Sequence, residues 1–139
     1  MKGYGRYTQA YKKAAVSTMD QRKLIIMLYD GAIRFLGKAV TAMEEGDGYE
    51  AHRNLSKAKS IIAELLGSLN LEKGGDIASN LQRLYTYMFN ELIDANMKKD
   101  AGRILQVSDL LKDLRSGWQE LKGPAEPAEE KKTNINVRG

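Results

Sequence analysis

The 139-residue chain contains no cysteine and a single histidine, His52. The first absence removes disulfides, thiolate nucleophiles and cysteine-ligated zinc, and the second argues against a histidine-rich metal site. Proline is almost missing: Pro124 and Pro127 both lie in the last sixteen residues. Everything before them is free of the strongest helix breaker, which points to long helices. No stretch approaches the ~20 apolar residues of a membrane span. The N-terminus lacks the apolar core of a secretory signal, so a cytoplasmic chain is expected, with no direct membrane insertion. Paired carboxylates, a nucleophile elbow and a phosphate loop are absent too, and these gaps together disfavour an enzyme or a cofactor.

What is present is unevenly placed. The net charge of +4 is carried by Lys2, Arg6, Lys12 and Lys13 of a leader without acids, leaving 18 bases against 18 acids from residue 20 onward. A nucleic-acid binder would be expected to show a basic face on its folded part, so none is expected here. The leader also holds Tyr4, Tyr7 and Tyr11, spaced so that on a helix the rings share one side. A solvated tail gains nothing from rings, so residues 1–17 read as an ordered but detachable arm.

Hydrophobic periodicity divides the rest into four helices. The first begins near Thr18 to Asp20, where Thr18 and Gln21 fit a capping box, and runs to about Glu45. It stops at Gly46-Asp47-Gly48, a turn tripeptide. The second spans about Tyr49 to Leu69. Asn70 and Lys73-Gly74-Gly75 end it, and Asp76 is positioned to cap a third helix over about Ile77 to Met97. Asp100 can cap a fourth, with Ile104, Val107, Leu111, Leu114, Trp118 and Leu121 as its stripe. Trp118 is expected to be largely buried, at the end where the first helix begins. From Gly123 the composition shifts to Pro, Ala, Glu and Lys, as in a disordered tail. The expected architecture is all-α: an antiparallel up-down four-helix bundle over 18–122, a tyrosine-rich capping segment over 1–17, and a tail over 123–139.

Helix 1 is apolar over more of its circumference than an outer bundle helix needs. Leu24, Ile25, Leu28, Ala32, Phe35, Ala39 and Met43 form one face, and Ile26, Tyr29, Ile33, Leu36 and Val40 continue it, covering ~200° where one core demands ~100° or slightly more. Helix 3 extends Leu81, Leu84, Met88 and Leu92 with Tyr85, Phe89, Ile93 and Met97. Either these helices are inner ones, surrounded by the others and the leader, or part of the surplus lines a groove for an amphipathic or extended peptide. His52, a lone histidine on a bundle helix, leaves open a histidine phosphotransfer domain. Leu55 and Ser56 stand where such domains usually have Lys and Gly, which favours a plain surface residue.

The run Leu24-Ile25-Ile26-Met27-Leu28-Tyr29-Asp30-Gly31-Ala32-Ile33-Arg34-Phe35-Leu36 is the most distinctive in the chain. It is joined by Ser68-Leu69-Asn70-Leu71-Glu72, Gly74-Gly75-Asp76-Ile77-Ala78, Asn80-Leu81, Leu84-Tyr85-Thr86-Tyr87-Met88, and Leu110-Leu111-Lys112-Asp113-Leu114-Arg115 with Trp118. In this order and length, the sequence over roughly residues 4–121 resembles the flagellar secretion chaperone family FliS. One departure is Thr18-Met19-Asp20-Gln21, where the family often has Thr-Ala-Ser-Pro; Asp20 can replace the serine cap. The resemblance implies an antiparallel bundle that binds the disordered C-terminal segment of flagellin, prevents premature polymerisation and docks at a component of the flagellar export gate, without nucleotide or metal. It also implies that the N-terminal segment covers part of the apolar surface when flagellin is absent. On this reading the groove candidates are Ile26, Tyr29, Ile33, Leu36, Val40, Phe89 and Ile93, and the lid candidates are Tyr4, Tyr7, Tyr11 and Val16.

Overall fold

The computed structural model describes residues 18–120, with side chains from residue 21 onward. The described residues form four helices and no strand: α1 (Thr18–Glu44), α2 (Gly48–Gly67), α3 (Leu71–Lys98) and α4 (Ala101–Glu120). Connections of two or three residues force chain neighbours to run antiparallel. Each helix packs on the next, and α1 against α4 closes the ring, with α1–α2 the most extensive contact. The expected capping segment and tail, with Tyr4, Tyr7, Tyr11 and Val16, lie outside the described residues.

The turns show why the chain reverses where it does. After α1, Gly46 adopts φ 77°, its N–H bonds Met43 O at 3.1 Å, and the Asp47 N–H bonds Ala42 O at 2.8 Å. This double closure needs a left-handed residue, which glycine supplies without a Cβ clash. The Asp47 carboxylate then accepts the Glu50 N–H at 3.1 Å, so one residue closes α1 and caps α2. Between α3 and α4, Asp100 caps as expected, accepting the N–H of Gly102 at 3.0 Å. Arg103 ties this cap to α3, donating to Asp100 at 3.2 Å and Glu91 at 3.1 Å.

The α2–α3 junction differs from the expected reading. Helix α2 ends at Gly67, and Asn70 begins a new helical turn by accepting the Lys73 N–H at 3.0 Å. That turn covers Leu71 to Gly74, and Gly75 (φ 57°, ψ −136°) breaks it before the main run of α3. Both glycines are needed. A Cβ on Gly74 would stand 2.5 Å from the Ala78 Cβ, and Gly75 adopts a backbone conformation that other residues resist.

Leu36, Leu55, Ile62, Leu65, Met88, Leu92, Ile104, Val107 and Leu111 fill the centre and are fully buried. Each such side chain contributes about 1.5–3 kcal/mol by leaving water. Gly31 lets α2 come close: a Cβ there would lie 3.1 Å from Ile61 Cδ1.

Candidate functional site

The wide apolar arc of α1 divides into a core band and two shoulders. The core band holds Ile25, Tyr29, Ala32, Leu36, Ala39 and Val40. One shoulder faces α2, where Gly31 meets Ile61 and Lys57 of α2 lies over the Phe35 ring. The other faces α4, where Arg115 holds Asp30 with a two-pronged bond, its second arm at 3.4 Å. Asp30 is therefore paired across the helices. Ile26, Ile33 and Gly37 follow one another at helical spacing along this second shoulder.

The sequence candidates thus separate. Tyr29 and Leu36 are 0% exposed and Val40 is 9% exposed, so all three belong to the core rather than to an open groove. Ile26, Ile33, Phe89 and Ile93 are half-buried. Ile33 and Phe89 still pack against the core, whereas Ile26 and Ile93 stand outside that cluster. Gly37 is exposed, and no atom lies within 4 Å of where its Cβ would be. Mid-helix glycine costs about 0.5–1 kcal/mol relative to alanine. Gly37→Ala is expected to stabilise the bundle by that amount in urea denaturation, and a loss of stability would reveal a contact at this spot.

Tyr29 is buried because it has polar partners inside. Its hydroxyl lies 2.6 Å from that of Tyr85, across the bundle on α3, and accepts the Trp118 indole N–H at 2.9 Å. The rings of Tyr29 and Tyr85 meet edge to face, with centroids 6.5 Å apart. Burial pushes both phenols above their ordinary pKa. For Tyr29 the hydrogen bonds from Tyr85 and Trp118 oppose that rise, while for Tyr85 the neighbouring Tyr29 adds to it. Trp118 stands near the start of α1 as expected, but is half-buried rather than largely buried, because it lies in the last turns of α4 at the bundle end. There Arg22 of α1 donates to the carbonyls of Trp118 (3.2 Å) and Gln119 (3.4 Å). A cation at the carbonyl end of a helix satisfies orphan acceptors and complements the macrodipole. Sequence reasoning missed both features; a tyrosine on each of two core faces was the available signal.

His52 is exposed, and its Nδ1 lies 2.9 Å from the Asn96 side-chain nitrogen. Among the described residues no group of three His, Asp or Glu side chains could hold a metal, and no helix is long and apolar enough to cross a membrane.

Three separated segments therefore meet at one end: the Leu24–Leu36 run through Tyr29 and Asp30, the α3 block through Tyr85, and α4 through Arg115 and Trp118. The model of the family described as flagellar protein FliS matches residues 3–125. The chain belongs to the FliS family. It is 39% identical over 120 residues to the flagellar secretion chaperone FliS of Salmonella typhimurium, covering 86% of this chain and 89% of that one. It is 37% identical over 117 residues to the Vibrio cholerae protein of the same name, covering 81% and 86%. The Bacillus subtilis FliS is 33% identical over 111 residues, covering 80% and 82%. The FliS family is thus one of flagellar secretion chaperones, and Tyr29, Tyr85 and Trp118, drawn from the segments that carry the resemblance, build the bundle itself.

Proposed function

We propose that this protein binds the disordered C-terminal segment of flagellin, keeps it from polymerising prematurely and delivers it to a component of the flagellar export gate. The observation that carries the reading is apolar surface left over after the core is filled: Ile26 and Ile93 are half-buried yet outside the core cluster. On the α4 side, Ile26 and Ile33 lead along α1 to the open backbone of Gly37, a strip on which a partner helix can lie; Phe89 and Ile93 supply a second apolar site on α3. Ordering the flagellin segment costs a few kcal/mol, offset by the apolar area that both partners remove from water. A burial reaction of this kind needs no catalytic group, and a non-enzymatic chaperone of the cytoplasm is the corresponding role. Membership in a family of secretion chaperones supports this reading over phosphotransfer at His52.

Ile26→Asp is the most direct test, because Ile33 also packs against the core and its replacement would confound binding with folding. The variant should bind flagellin's C-terminal segment at least about tenfold more weakly in calorimetry, a loss of ~1.4 kcal/mol or more, with unchanged helicity. Unchanged affinity would remove the α4-side strip from the client site. The leader, with Tyr4, Tyr7, Tyr11 and Val16, is proposed as a reversible lid over this surface. If the lid closes most molecules, apparent affinity is lowered by the open fraction. Deleting residues 1–14 should then tighten flagellin binding, and hydrogen exchange over residues 4–16 should speed up when flagellin binds. Slower exchange and weaker binding of the truncated chain would make the leader a clamp.

A further inference from the structure

A different face of the bundle carries a concentration of charge that its fold does not use. The Phe35 ring, half-buried between α1 and α2, is surrounded by three cations. Arg34 Cζ lies 5.1 Å from the ring centroid, Lys57 Nζ 5.3 Å and Lys38 Nζ 5.8 Å. All three side chains are exposed, and none makes an ion pair among the described residues. The body of the chain has equal numbers of bases and acids, so this gathering is local.

Like charges brought together repel, and the ring face offsets only part of that, at about 0.5–1 kcal/mol for an exposed cation over an aromatic ring. Glu50 lies within the field of Lys57 and Lys38, but its own hydrogen bonds come from Arg53, which is the main reason its carboxyl is held below the ordinary range. The cations around Phe35 are thus left for something outside the bundle. Arg34 and Lys38 themselves line an open depression of about 460 Å³ that reaches from Gly37 of α1 across to Asn54 of α2.

We propose that the Arg34–Phe35–Lys38–Lys57 face of α1 and α2 is a docking surface for an acidic, amphipathic segment of a second protein, distinct from the apolar client strip that it meets at Gly37. Arg34 and Lys38 are one helical turn apart, so they match carboxylates spaced one turn apart on a partner helix, while Lys57 takes a third from the α2 side. An apolar side chain of the partner lies on Phe35 between them. Charge complementarity of this sort sets orientation and association rate more than total affinity. Glu45, Asp47 and Glu50, on the rim of the same depression, disfavour a continuous polyanion such as nucleic acid, whose phosphates cannot be spaced to avoid them.

The test uses the full chain and a fluorescent amphipathic peptide with glutamates one helical turn apart and leucines between them. Saturable binding is expected, falling several-fold from low to high salt as the charges are screened. A peptide with glutamine for glutamate should lose at least about tenfold in affinity, as should the Arg34→Glu/Lys57→Glu variant, whose circular dichroism should remain that of the bundle. An Arg34→Lys variant should bind nearly as well as the parent. Equal binding of the glutamine peptide, equal binding by the charge-reversed variant, or no saturation by about 1 mM peptide would each overturn the proposal. Tighter binding of duplex DNA than of the peptide would overturn it in favour of a polyanion site. A gain in peptide affinity on removing residues 121–139 would overturn it differently, by assigning the face to the chain's own Glu126, Glu129 and Glu130.

Discussion

Tyr29→Phe is expected to destabilise the bundle by about 2–4 kcal/mol, whereas Tyr85→Phe should cost only about 0.5–1.5 kcal/mol. The two changes remove the same atom from equally buried rings, and the asymmetry follows from counting protons. Trp118, Tyr29 and Tyr85 offer three hydrogens, and the two hydroxyl oxygens receive two bonds, so one hydrogen is already spare. Removing the Tyr85 hydroxyl loses one bond and leaves one hydrogen spare, as before. Removing the Tyr29 hydroxyl breaks both bonds and strands the Trp118 N–H as well as the Tyr85 hydroxyl. Urea denaturation of the two variants measures the difference, and Trp118 fluorescence reports whether the indole moves. Equal losses would mean that Trp118 draws nothing from Tyr29.

The same pair should make the protein fragile in alkali. In an unfolded chain a phenol ionises near pH 10. In the bundle, burial raises both pKa values, so the protonated pair is favoured and its contribution to stability is complete below about pH 10. As pH rises, the unfolded chain releases protons that the folded chain retains, and stability falls, at a limiting slope of about 1.4 kcal/mol per pH unit for a phenol still protonated in the bundle. By about pH 11 Tyr85 alone should have forfeited roughly 1.4 kcal/mol relative to neutral pH, and Tyr29 adds a loss of the same sign. Denaturation curves across this range, set beside those of the Tyr29→Phe/Tyr85→Phe double variant, isolate the effect, because the double variant lacks the two phenols. Parallel pH dependence of the two proteins would assign the alkaline loss to other groups.

Much of the bundle was legible because its signals are local. Asp47 and Asp100 stand at helix starts, glycine at the turn after α1, and apolar residues at helical spacing along each element. The α2–α3 junction was read less well because two signals compete there: Asn70 is a strong enough cap to begin a helical turn that the two glycines then interrupt. The client surface was legible only as an arc. Ile26 and Tyr29 are about 60° apart on a helical wheel, a difference too small to say which one the neighbouring helix covers. What decided it is across the bundle, in the hydroxyl of Tyr85 and the indole of Trp118, which give Tyr29 a reason to turn inward that periodicity does not record. The cations around Phe35 were invisible for a similar reason, since Lys57 comes from another helix.

The bond from Arg22 to the last carbonyls of α4 places the first and last described helical turns side by side. The opposite pole is formed by the turns at Gly46–Gly48 and Lys99–Asp100, where the Lys99 Nζ comes within 4.0 Å of a Cβ position at Gly48. A fluorophore or fusion partner attached at Thr18 or at Glu120 would therefore crowd the Arg22–Trp118 end, while the far pole remains accessible. The same proximity lends itself to circular permutation. A flexible linker from Glu120 to Thr18 spans a short gap, and new ends opened between Gly46 and Asp47 cut no helix, so the helices that carry Tyr29, Tyr85 and Trp118 stay whole.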